Sequence, residues 1–135
     1  MQKVILITGI STGFGRKTAE MLAERGHIVY GTVRKQTEVK PGINVLRMDL
    51  TDQKSVQHAV EQVIQKEGRN DVLINNAGVH TGGAIETTTL ENARLQLDTN
   101  IMGLVYMLRE VLPVMRKQNH GTLINFSSIG GLMGL

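Results

Sequence analysis

The 135-residue sequence predicts an α/β fold, a doubly wound parallel sheet with strand order 3-2-1-4-5. Short apolar runs of strand length alternate with segments of helical period, and right-handed crossovers between parallel strands put helices on both faces. A glycine-rich turn, Thr8-Gly9-Ile10-Ser11-Thr12-Gly13-Phe14-Gly15, separates the first strand from the first helix. If the chain reverses direction after the third strand, a ligand crevice falls at the carboxyl ends of strands one and four.

Each element has its own warrant. Val4-Ile5-Leu6-Ile7 has the length and branching of a buried strand. After the turn, Phe14, Thr18, Ala19, Leu22 and Ala23 recur at helical spacing, and Gly26 stops the helix after Arg25. Ile28, Val29 and Tyr30 begin a second strand running to Val33, followed by a loop through Arg34, Lys35, Thr37, Pro41 and Gly42. Residues 44–48 make the third strand. Over 52–67, Val56, Ala59, Val60, Val63 and Ile64 form a single apolar stripe, with Asp52 or Thr51 as its cap. Val72, Leu73 and Ile74 form the fourth strand, ending at Asn75, and a small polar loop continues through Gly83. Residues 88–97 and 101–116 supply two more helices, residues 121–126 the fifth strand, and residues 127–135 a glycine-rich loop.

A chain of this length with 41% hydrophobic residues makes one domain, 1–135, with a real core. Fifteen basic residues against 12 acidic leave a net charge of +3, and no block of like charge marks a nucleic-acid tail. Cysteine is absent, which excludes a disulfide framework and a thiolate metal site and fits a reducing, cytoplasmic setting. The apolar start at Val4 is broken at Gly9, too soon for a membrane span or a signal peptide, so no membrane partner is expected. His27, His58, His80 and His120 have no metal-ligand spacing, so no metal is expected; only His80 lies near the crevice. The seven methionines read as adaptable core filler.

Two features point beyond a self-contained domain. The run Thr122-Leu123-Ile124-Asn125-Phe126 reads as a strand buried on both faces, yet here it would be a sheet edge. Gly131-Leu132-Met133-Gly134-Leu135 ends the sequence on apolar residues, so more chain, or a partner, is expected beyond Leu135. In the helix at 101–116, Ile101, Met102, Leu104, Val105, Tyr106, Met107 and Leu108 leave almost no polar face. A helix apolar all round is buried all round, so one side should meet the sheet and the other a second copy of the chain, giving a homo-oligomer.

The glycine turn suggests phosphate chemistry. Gly9 allows a sharp exit from the strand, Gly13 a close backbone approach to a phosphate, and Gly15 close packing of the helix on the sheet. Ser11 and Thr12 add hydroxyl donors. Free backbone N–H groups and a helix N-terminus then meet at one point, as a dinucleotide pyrophosphate requires. The glycines alone would also serve a tight turn without a ligand.

The spacing Thr-Gly-x-x-x-Gly-x-Gly, with Asn75-Asn76-Ala77-Gly78 after the fourth strand, resembles the N-terminal portion of the classical short-chain dehydrogenase/reductase family. Asp49-Leu50, Asn100 and Ser127-Ser128 also fall where that family has such residues, and the segment from Ser127 to Gly134 is similar to its hydroxysteroid and retinol dehydrogenase branch. The resemblance implies a Rossmann-type fold lacking the family's C-terminal strands. It implies cofactor contacts from Gly9, Ser11, Thr12, Gly13, Phe14, Gly15, Arg34, Asp49, Leu50, Asn76, Ala77 and Gly78. Asp49 would meet the adenine edge, while Asn76, Ala77 and Gly78 would line the adenosine ribose. Ser128 would hydrogen-bond the substrate oxygen, with Ser127 the less suited neighbour, and Asn100 would hold a water in a proton relay. Strand-end turns and caps would account for the same residues without a ligand.

In that family a tyrosine transfers the proton and a lysine four residues later lowers its pKa. No Tyr-x-x-x-Lys occurs in this sequence: Tyr30 is followed four residues on by Arg34, and Tyr106 by Glu110. The resemblance thus implies an NADP-dependent hydride transfer between nicotinamide and a secondary alcohol or ketone, present here without its acid/base pair. The alternative is a non-catalytic dinucleotide-binding or sensing module. The phosphate-type turn and the Asn-Asn-Ala-Gly run argue against a methyltransferase of related fold.

Cofactor choice is read at the end of the second strand. An acid there would accept hydrogen bonds from the ribose diol and repel a 2′-phosphate, whereas a base would attract it. Val33 takes the acid's place and Arg34 follows, which favours NADP(H) over NAD(H); Arg34 and Lys35 as a solvated loop pair is the competing account. The substrate's identity stays open.

Overall fold

In the computed structural model, which describes residues 1–133, the chain runs β1 (Val4–Ile7), α1 (Gly13–Glu24), β2 (Ile28–Val33), β3 (Ile43–Arg47), α2 (Gln53–Glu67), β4 (Val72–Asn75), α3 (Leu90–Leu97), α4 (Gly103–Gln118) and β5 (Thr122–Asn125). Short 3₁₀ turns occur at Ile85–Thr87 and Ile129–Gly131. All pairings are parallel and the strand order is β3-β2-β1-β4-β5, as the alternation of elements predicts.

The central strand β1 pairs Leu6 with Tyr30 on one side and Leu73 on the other. Alternate residues feed two cores, because successive side chains of a strand point to opposite faces. Val4, Leu6, Tyr30 and Leu73 pack with Val56, Val60 and Val63 of α2 and Met107 and Val111 of α4. Ile5, Ile7, Val29 and Ile74 pack with Ile10 and with Ala19 of α1 on the other face. The α2 stripe forms as predicted, capped by Asp52, whose side chain accepts a hydrogen bond from the Lys54 N–H, and closed by Gly68 in the left-handed region at φ 72°.

Three sequence expectations shift. Phe14 is not part of the packed face of α1: it is 82% exposed. Ala19, Leu22 and Ala23 meet the sheet as expected, but the stripe begins at Gly15, the next residue along, rather than at Phe14. β3 begins one residue earlier than expected, where Ile43 pairs with Val29. The helices expected at 88–97 and 101–116 are joined, because the π-helical turn Asp98–Met102 carries α3 directly into α4. No glycine or proline interrupts the chain between Leu97 and Met102, so nothing stops the helix; Asn100 lies inside this wide turn rather than opening a helix.

α4 presents Gly103, Met107, Val111 and Met115 to the core, while Ile101, Met102 and Val105 face solvent. β5 is the sheet edge, and every one of its residues is exposed. Of the terminal apolar run, Gly134 and Leu135 lie outside the described residues.

Candidate functional site

Two buried threonines tie the carboxyl ends of three strands together. Thr8 is 1% exposed, and its Oγ1 accepts hydrogen bonds from the backbone N–H groups of Asn76 (3.1 Å) and Ala77 (3.0 Å). Asn76 returns the tie: its Nδ2 donates to the carbonyls of Thr8 (3.0 Å) and Gly9 (2.9 Å). On the β2 side, the Thr32 carbonyl accepts from the N–H groups of Gly9 (3.2 Å) and Ile10 (3.0 Å). Sequence reasoning named Gly9, Asn76 and Ala77, but it missed the acceptor role of Thr8 and missed Thr32 altogether. A threonine inside a β-branched strand carries no local sign that its hydroxyl or carbonyl is the joint.

The glycine turn sits on this joint. Gly9 adopts φ 74°, and a Cβ there would come 2.8 Å from the Ala77 Cβ. A Cβ on Gly15 would overlap the Gly9 carbonyl and the Asn76 amide, so the start of α1 can lie this close only with glycine. Gly13, at φ 61°, faces open space within 4 Å. Thr12 precedes α1 with no side-chain cap, whereas Asp52 caps α2 and Thr89 caps α3. The first-turn N–H groups of α1 are therefore left for an anion, surrounded by the exposed residues Ser11, Thr12, Gly13 and Phe14.

The ends of β2 and β3 bring Arg34 near Asp49. Hydrogen bonds from the Thr51 hydroxyl (2.7 Å) and the Thr51 N–H (2.9 Å) hold the Asp49 carboxyl below its ordinary pKa, and the charge of Arg34 adds to that effect. Leu50 differs from its neighbour: its side chain is buried against Gly103, leaving only its backbone for a ligand.

Beyond β4, Asn100 clamps the loop that follows. Its Oδ1 accepts from the Val79 N–H and its Nδ2 donates to the Val79 carbonyl, both at 2.8 Å, and Oδ1 lies 3.2 Å from where a Gly78 Cβ would stand. Both ends of the Asn100 amide are thus engaged by Val79. A second tie, unforeseen from sequence, joins Gln96 Oε1 to the Thr81 N–H (2.8 Å) and hydroxyl (2.9 Å).

β5 ends level with β4, where Asn75 Nδ2 donates to Asn125 Oδ1 at 2.9 Å. Ser127 and Ser128 follow at the same sheet end, both exposed. The Ser128 Oγ accepts from the Gly130 N–H at 3.1 Å, which leaves its own proton to donate. Tyr30 is no candidate acid: it is 2% exposed in the core, and its hydroxyl donates to Glu67 at 2.6 Å. Burial and the Glu67 contact push its pKa up to about 12. Among the described residues no group of three or more His, Cys, Asp or Glu could hold a metal ion.

This arrangement can be set beside known proteins. A family model described as short chain dehydrogenase matches residues 3–135. The chain is 54% identical over 133 residues to a 3-ketodihydrosphingosine reductase of Bacteroides thetaiotaomicron, a match covering 98% of this chain and 49% of that protein. Its fold matches a short-chain dehydrogenase from Streptomyces avermitilis with a TM-score of 0.93 at 34% identity, over 99% of this chain and 52% of the other. It matches ElxO with NADP bound at a TM-score of 0.90 and 30% identity, over 100% and 59% of the two chains. The chain spans about half the length of the curated relatives it matches.

Proposed function

Because the chain belongs to the short-chain dehydrogenase/reductase family, we propose that it forms a single dinucleotide-binding domain of an oxidoreductase that uses NADP(H) in preference to NAD(H). The observation that carries this reading is the uncapped start of α1 over Gly13, with Arg34 at the neighbouring strand end. The backbone of Gly9, Gly13 and Gly15 and the hydroxyls of Ser11 and Thr12 hold the pyrophosphate, with Phe14 at the mouth of the turn. Arg34 meets the 2′-phosphate, Asp49 and the Leu50 backbone meet the adenine, and Asn76, Ala77 and Gly78 line the ribose.

When bound, the nicotinamide supplies or takes the hydride exchanged with a secondary alcohol or ketone. Ser128 donates its hydroxyl proton in a hydrogen bond to the substrate oxygen, polarising it, and Asn100 holds the relay water while fixing the loop at Val79. These 135 residues contain no Tyr-x-x-x-Lys, so no proton donor is assigned among them. The second reading is a module that binds the dinucleotide without turning it over.

The likeness to a 3-ketodihydrosphingosine reductase makes that ketone the first substrate to assay with the full natural protein. Consumption of NADPH dependent on the ketone supports the enzyme reading; tight NADPH binding with no turnover of any ketone or alcohol supports the module. Tighter binding of NADH than of NADPH would overturn the cofactor assignment. A homo-oligomer through the helix at 101–116 belongs to the same reading, supported by the exposed Ile101, Met102 and Val105, and a monomer by sedimentation at micromolar concentration would refute it. A cytoplasmic setting is supported by the cysteine-free sequence.

A further inference from the structure

The segment between β2 and β3, residues 34–42, carries the cofactor-selecting Arg34 yet has no helix or strand of its own. Its order comes from α1, which grips it at three consecutive residues. The Glu38 carbonyl accepts from Arg16 Nη2 at 2.8 Å. Val39 packs against the apolar cluster on the α1 face of the sheet. The Lys40 ammonium lies 3.3 Å from Glu20 Oε2 and 3.5 Å from Glu24 Oε1.

Glu20 is the hub of these contacts. Its side chain is only 10% exposed, and its other oxygen, Oε1, is 3.5 Å from Arg16 Nε. Arg16 also reaches the glycine turn, where Nη1 donates to the Ser11 carbonyl at 3.4 Å. One buried carboxylate thus orients the guanidinium that joins the phosphate turn to the selectivity loop, and it holds the ammonium that pins the loop's far end. Burial alone would raise the Glu20 pKa, but Lys40 and Arg16 outweigh it and keep the carboxyl below its ordinary value; the same pairing pushes Lys40 up.

We propose that Glu20 is a positioning residue for cofactor choice: through Arg16 and Lys40 it straps residues 34–42 to α1 and so holds Arg34 ready for the 2′-phosphate of NADP(H). The proposal rests on the assignment of Arg34 to that phosphate. A loop already ordered binds its ligand without the cost of ordering, and apparent affinity falls in proportion to the fraction of chains in the competent arrangement. NADH has no 2′-phosphate and gains little from the strap.

The test uses the full natural protein, Glu20→Gln and Lys40→Gln variants, fluorescence titrations with NADPH and NADH, and amide exchange of residues 35–40 without cofactor. If the strapped population falls to about a fifth, the NADPH Kd rises roughly 5-fold in either variant while the NADH Kd moves less than about 2-fold. Exchange in the loop quickens, and the double variant loses less than the sum of the single ones, because both remove the Glu20–Lys40 contact. An unchanged NADPH-to-NADH ratio in both variants, or an equal loss for the two cofactors, overturns the proposal. Arg34→Ser separates the two layers. If the wild-type protein shows no NADPH preference, or keeps it in Arg34→Ser, the cofactor assignment fails and the strap with it. If Arg34→Ser abolishes the preference but the Glu20 and Lys40 variants retain it, the strap alone fails. Lys40 is 55% exposed, so its variant carries the test should Glu20→Gln not fold.

Discussion

Replacing Thr8 with valine should cost more stability than its size suggests. The substitution keeps the branched shape of a side chain that is 1% exposed but removes the oxygen that accepts from both the Asn76 and Ala77 N–H groups. A buried donor left unpaired costs ~1–3 kcal/mol, and two are orphaned here in a partly buried setting, so the expected loss is ~2–4 kcal/mol. That is a large share of the ~5–15 kcal/mol that holds a domain together. Urea unfolding followed by circular dichroism reads it as a lower midpoint at unchanged slope. Thr8→Ser keeps the acceptor and should lose less than ~1 kcal/mol, and NADPH affinity should fall in the valine variant only, because the β4 end is no longer stitched to the glycine turn. A Thr8→Val protein within ~0.5 kcal/mol of wild type, or a serine variant as damaged as the valine one, would refute this account of how the strand ends are joined.

Other substitutions probe the rest of the framework. Gly15→Ala drives a methyl into the Gly9 carbonyl and the Asn76 amide, so a loss of ~1–3 kcal/mol and a weakened NADPH titration are expected. Asn100→Leu removes both hydrogen bonds to Val79; amide exchange across residues 79–83 should quicken markedly while the exchange of β1 amides stays slow. For Tyr30 the folded pKa, about 12, lies above the ordinary 10.0, so the fold favours the neutral phenol. Its contribution is complete below pH 10 and is lost as pH rises towards about 12, and urea midpoints across that window should fall more steeply in wild type than in Tyr30→Phe.

Much of the architecture was legible because burial on both faces writes itself into composition. The near-continuous apolar runs at Val4–Ile7 and Val72–Asn75 can only be interior parallel strands, and the α2 stripe permits one phase. The first turn of α1 was harder to read. Phe14 and Gly15 are adjacent, and hydrophobicity favoured the phenylalanine while close packing of the helix start selected the glycine. The run through Asp98–Met102 likewise gave no stop signal and no sign of a π-helical turn, which appears where Asn100 is drawn to Val79.

The residue types of the candidate site came from the sequence alone: a glycine turn at 9, 13 and 15, a strand end with arginine in place of an acid, and an Asn-Asn-Ala-Gly run. Their joining depended on tertiary structure. Thr8 and Thr32 as the joint, Leu50 turned into the core, and Glu20 as the hub between Arg16 and Lys40 all link residues brought together by the order β3-β2-β1-β4-β5. The physical reason is range: glycine conformation and apolar periodicity act over a few neighbouring residues and are written locally. A hydrogen bond from Ala77 to Thr8 spans 69 positions, and only the folded chain decides which hydroxyl receives it.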